Sequence, residues 1–136
     1  MTDDELVERF EAGTLEGLPH ADHVRLGLLY LARYDRAEAL RRLGDGLLHF
    51  ATLKGHPEKF HVTLTRAWLD LIDVVRRAHG GAAPMEIITA WPALLDTKLL
   101  DRFYSPGVLE TEAARTSWVE PDLAPLDSLV SSARSR

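Results

Sequence analysis

An all-α bundle in a single domain is the fold this sequence predicts, and three observations predict it. The chain is rich in Leu, Ala, Arg, Glu and Asp, and alternation of apolar and polar residues never persists as it does in a half-buried strand. Apolar residues instead recur at three- and four-residue intervals through most of the chain. Glycine, proline and small polar residues punctuate that pattern where helices should start and stop. At 136 residues the chain suits one domain with a core large enough to need no covalent staple.

The first helix is expected from Asp3 to Glu11. Leu6, Val7 and Phe10 share one face, acids occupy the first turn, and Gly13 ends it. Thr14 to Pro19 is a connection. A second helix should run from His20 to Tyr34; residues 26–32 are apolar nearly all round, which marks it as central and buried. Asp35 is the expected N-cap of a third helix reaching Leu53, with Leu40, Leu43, Leu47 and Phe50 as its seam. Gly44 and Gly46 each weaken that helix by up to about 1 kcal/mol relative to Ala, or admit a close neighbour.

After the break at Lys54-Gly55-His56-Pro57, a fourth helix is expected from Pro57 or Lys59 to His79, closed by Gly80-Gly81. Its seam is Leu64, Trp68, Leu71, Ile72 and Val75. Shorter helices should follow over 85–90, 93–103 and 106–118, the last capped by Ser105 with Pro106 at its first position. The prolines at 121 and 125 forbid regular helix there. They suggest an extended strap held to the body by Leu123 and Leu126, with residues 131–136 frayed at the end.

Composition removes several functions. Without cysteine there are no disulfides, thiolate metal sites, Fe–S clusters or cysteine nucleophiles. A formal charge of −5 argues against a nucleic-acid partner, which needs a basic face. No apolar run approaches the ~20 residues that cross a bilayer, and MTDDELVERF has no basic leader region; the expectation is a soluble cytoplasmic protein. There is no GxGxxG, P-loop, G-x-S-x-G or HExxH motif, and none of the Glu-x-x-His pairs of di-iron bundles.

The informative question is what stands at the helix ends. Short connections make helices two, three and four antiparallel neighbours, so the second and fourth begin at the same end of the bundle. His20 and His23 open one; His61, with Thr65 a turn later, opens the other. Behind them lie Gly27, Tyr30 and Tyr34 on one helix and Trp68 and Ile72 on the other. A polar mouth over an apolar floor is the usual form of a small-molecule pocket, with Tyr30 and Trp68 as its wall. His20 and His23 share a face, and His61 would complete a three-nitrogen set suited to a divalent Zn, Cu, Fe or Ni ion with open positions. Asp22, Glu58 and Asp122 are candidate supporting carboxylates.

A blander reading stands beside this one: histidines at helix starts, hydrogen-bonded to Thr65, Tyr30 or backbone. His56, His49 and His79 read as surface residues. Trp91 and Trp118 read as core or interface anchors. Arg115 reads first as half of an ion pair with Glu120 or Asp122 that fixes the strap, and alternatively as an anion-recognising guanidinium.

The run H-x-x-H-V-R-L-G-x-x-Y-L from His20, then F-H-V-T-L-T-R-A-W from Phe60, then F-Y-S-P-G-V-L-E-T-E-A-A-R and W-V-E-P-D-L-A-P-L resembles a group of small bacterial all-helical proteins. Their pattern is His-x-x-His, (Tyr/Phe)-His-x-Thr-x-Thr, Tyr-Ser, Ala-Arg and Pro-Asp-Leu. The resemblance implies that His20, His23, His61, Thr65, Tyr104, Ser105, Arg115 and Asp122 belong to one constellation. It brings no established reaction with it.

Two functions therefore compete at this point. One is a small metal-binding protein or metal-assisted enzyme acting on a small molecule. His20, His23 and His61 would be the ligands, His61, Thr65 and Arg115 the chemical groups, and Tyr30 and Trp68 the wall. In a metal-free variant, His61 or His23 acts as general base. The other function is a non-enzymatic helical interaction module, with a homodimer as one form of it, in which the histidines are structural and Trp91, Trp118 or the strap meets the partner.

Overall fold

The computed structural model describes residues 1–130; the expected fraying of residues 131–136 falls outside them. Among the described residues the regular structure is all helical. Helix α1 (Asp3–Ala12) starts where the Thr2 hydroxyl accepts the Glu5 N–H and stops at Gly13, whose φ of 74° closes the last turn. Helix α2 (His20–Arg33) is the centre of the bundle, with Val24 and every residue from Leu26 to Leu31 buried. Helix α3 (Arg36–Leu53) is capped by Asp35, which accepts from the Glu38 N–H as expected. Helix α4 (Val62–Ala78) buries Trp68, Leu69, Leu71, Ile72 and Val75, and α5 (Pro84–Ala90) follows the turn at Gly80-Gly81.

Helix α2 packs on α1, α3, α4 and α5, so one apolar core runs from Leu6 to Val130. Two glycines mark close approaches. A β-carbon at Gly46 would lie 2.3 Å from the Phe10 ring, and one at Gly27 would lie 3.0 Å from Ile72. The room left at Gly27 therefore belongs to a neighbouring helix.

The structure corrects three sequence expectations. The fourth helix is broken near its start: Pro57–Lys59 is a single 3₁₀ turn, and Phe60 and His61 are extended before α4 begins. The helix expected over 93–103 is two 3₁₀ turns, Pro92–Leu95 and Leu99–Arg102. The helix expected over 106–118 contracts to α6 (Glu112–Thr116). Gly107, at φ 93°, has left the helical region, and the Ser105 hydroxyl donates to Asp122 rather than capping a helix. Thr111 takes the capping role and accepts from the Ala114 N–H.

The segment from Trp91 onward wraps the bundle and is held chiefly by side chains that reach its backbone. His20 Nε2 meets the Leu94 carbonyl at 2.9 Å, and His61 Nε2 meets that of Leu109 at 2.7 Å. Thr63, fully buried, donates to the Ser117 carbonyl at 2.7 Å and accepts the Val119 N–H at 3.1 Å. The Tyr104 hydroxyl donates to the Val119 carbonyl, and the Leu123 N–H donates to the Phe103 carbonyl. The proline-bounded strap is thus pinned by its backbone at Leu123, whose side chain is 55% exposed, while Leu126 packs on the core.

Candidate functional site

The polar end of the bundle contains a cavity of about 390 Å³. His23 on α2, Leu47, Phe50 and Ala51 on α3, and Phe60, Leu64 and Thr65 at the start of α4 form its body. Lys54, His56 and Lys59 stand at its exposed rim. The volume is at the lower end of the ~300–1,000 Å³ typical of small-molecule pockets. Phe60 and His61, the extended residues between the 3₁₀ turn and α4, both line this space.

The parallel start of α2 and α4 brings three predicted residues, His23, His61 and Thr65, onto this cavity. Their environments differ. His61 is the N-cap of α4: Nδ1 accepts the Leu64 N–H at 3.0 Å, and Nε2 faces the Leu109 carbonyl. An acceptor Nδ1 requires the proton on Nε2, so both ring nitrogens are engaged and one tautomer satisfies both contacts. Thr65 donates its hydroxyl to the His61 carbonyl one turn back, at 2.7 Å.

His23 is the exception. Its Nε2 is sealed from water and has no hydrogen-bond partner. Burial, reinforced by the neighbouring His20, lowers its pKa from the ordinary 6.5 to about 4. The ring is neutral at pH 7.

The other predicted residues lie elsewhere. His20 points its ring at Trp68, with centroids 4.5 Å apart, and the His20–His23 centroids are 6.3 Å apart. Tyr30 donates to Glu11 at 2.8 Å on the side of the bundle nearer α1. Burial first, and then this bond, raise its pKa above the phenolic range. Arg115 pairs with Glu112 one turn away on α6, not with Glu120 or Asp122. The i, i+3 partner is already within reach on the same short helix. Asp122 accepts the N–H and hydroxyl of Ser105, and these bonds lower its pKa.

The expected three-histidine metal set can be tested against this geometry. His61 offers no free lone pair while it caps α4, and His20 presents Nε2 to a carbonyl, which fixes that nitrogen as a donor. At most the other nitrogen of His20 and one of His23 remain. Among the described residues no group of three His, Asp or Glu side chains is placed to hold an ion. The side chains as arranged do not fit a facial triad.

Sequence reasoning missed Thr63 as the clamp of the wrap, Phe60 as a cavity wall, and the lysines of the rim. The chain has three lysines, and two of them, Lys54 and Lys59, line this cavity. That bias was visible in the sequence. Among the described residues no helix is long and apolar enough to cross a membrane. No protein-family model, curated protein or solved structure matches the chain.

Proposed function

We propose that the protein binds a small, mainly apolar molecule in this cavity, with His23 as its principal polar contact. The supporting observation is the orphaned Nε2 of a cavity-lining histidine. A buried polar atom without a partner costs roughly 1–3 kcal/mol; Nε2 is closed to water in the unliganded protein, so a ligand relieves that penalty by parting the cavity lining enough for a hydrogen-bonding group to reach the imidazole. The walls of Leu47, Phe50, Phe60 and Leu64 supply apolar area, and each 40 Å² covered is worth about 1 kcal/mol. A neutral imidazole in such a place is also a competent general base, so turnover of the bound molecule belongs to the same reading.

A metal-assisted version with Zn, Cu, Fe or Ni on His20, His23 and His61 is less well supported. It requires His61 to release the first turn of α4 and the Leu109 carbonyl together. The test is NMR of the histidine ring signals during titration with neutral apolar fragments that carry one hydrogen-bonding group. A saturable shift of the His23 signals, abolished when Ala51→Trp fills the cavity, is the expected result. Fragments that leave His23 unmoved, or move it equally in Ala51→Trp, would overturn the assignment.

A further inference from the structure

The chemistry of the rim says what sort of small molecule the cavity takes. The protein is acidic overall, and nine of its arginines pair with carboxylates. Lys54 and Lys59 do not: among the described residues neither has a carboxylate within ion-pair distance. Both are exposed, and both border the same cavity. The nearby acid, Glu58, is held by His56 Nδ1 at 3.1 Å. Of the lysines and carboxylates at the rim, two carry positive charge, Lys54 and Lys59, against the one negative charge of Glu58, on a molecule whose formal charge is −5. The interior behind it is lined by leucine and phenylalanine. A cationic rim over an apolar interior complements a molecule with the opposite distribution, an anionic head on a hydrocarbon body.

We propose that the ligand is an amphipathic carboxylate, its head at Lys54 and Lys59 and its aliphatic or aromatic body against Leu47, Phe50, Phe60 and Leu64. This rests on the cavity being a binding site, as proposed above. At roughly 30 Å³ per non-hydrogen atom, the space suits a body of about a dozen such atoms. The head lies at the surface, where water and salt reach it, so it sets preference among ligands more than total affinity.

Calorimetric titration of the full chain with octanoate, octan-1-ol and octylamine tests the proposal. Each probe is titrated at low salt and in 0.5 M NaCl, a concentration chosen to screen exposed charges. Octanoate should bind about tenfold tighter than octanol at low salt, and octylamine more weakly than either. High salt, or the double substitution Lys54→Gln with Lys59→Gln, should erase the octanoate advantage and leave octanol binding unchanged. Ala51→Trp should abolish both. Equal binding of octanoate and octanol, or a preference for octylamine, overturns the anionic head while leaving the cavity as a binding site. Absence of binding by all three probes, or binding that survives Ala51→Trp, overturns the cavity reading and this proposal with it.

Discussion

Removing the His23 imidazole should change the acid stability of the fold by an amount that can be worked out beforehand. In the native state the ring's pKa is lowered to about 4, first by burial and then by His20; in the unfolded chain it returns to 6.5. Between those values the unfolded state binds the extra proton, so stability falls as pH falls. Little of this is felt at pH 7. At pH 5 the unfolded ring is almost wholly protonated and the native ring about one-tenth so, and the difference is up to about 2 kcal/mol. By pH 4 most of the full linkage, about 3 kcal/mol, has been lost.

The carboxylates also titrate in this range, so the informative quantity is a difference between proteins. Wild type and His23→Leu are unfolded in urea at pH 7 and pH 5, followed by helical circular dichroism. The substitution replaces an unpartnered polar atom with an apolar one of similar size. Wild type should lose up to about 2 kcal/mol more than the variant between the two pH values, with unchanged m-values. Parallel losses would mean that the ring titrates near its ordinary value, and the reasoning from a dry, unpaired Nε2 would fail.

Thr63→Val keeps the shape of a fully buried side chain but orphans the Ser117 carbonyl and the Val119 N–H; a loss of about 2–4 kcal/mol is expected in the same urea assay, against under 1 kcal/mol for exposed Glu8→Ala. Gly44→Ala and Gly46→Ala should have opposite signs. The first meets only Phe60 at 4.0 Å and should raise stability by about 0.5–1 kcal/mol, while the second drives a methyl into Phe10 and should cost about 1–3 kcal/mol. His61→Ala removes a helix cap and the Leu109 contact together, for an expected cost of about 2–3 kcal/mol. That cost should be the same in EDTA as in zinc-containing buffer. A zinc-dependent difference would restore the metal reading.

The first three helices were legible because several signals agree at their ends. Asp35 caps, Gly13 stops, and Leu6, Val7, Phe10 and Leu43 repeat with helical spacing into one core. Agreement lapses from Trp91 onward. There the chain makes single turns of four or five residues, too short for apolar periodicity to register. Gly107 falls inside the helix that spacing predicts over 106–118, yet its backbone is left-handed.

The meeting of His23, His61 and Thr65 followed from helix direction alone, and so it could be read from spacing. The roles of His20 and His61 could not. Their partners are the carbonyls of Leu94 and Leu109, and a carbonyl belongs to every residue, leaving no mark in the sequence. Nor does the pattern of residue types distinguish His23, whose lack of a partner exists only in three dimensions.

The same asymmetry governs how the chain can change. The anchors on the bundle are chemically particular, since an imidazole or a hydroxyl of the right reach must stand at positions 20, 61 and 63. What they grasp is generic, a backbone group, and many side chains would serve at exposed Ser117 provided the backbone keeps its path. In a saturation library the informational load of the wrap should therefore sit on helices it merely touches. The wrap's exterior can be rewritten, for a new surface or a new partner, while the few residues that hold it remain fixed.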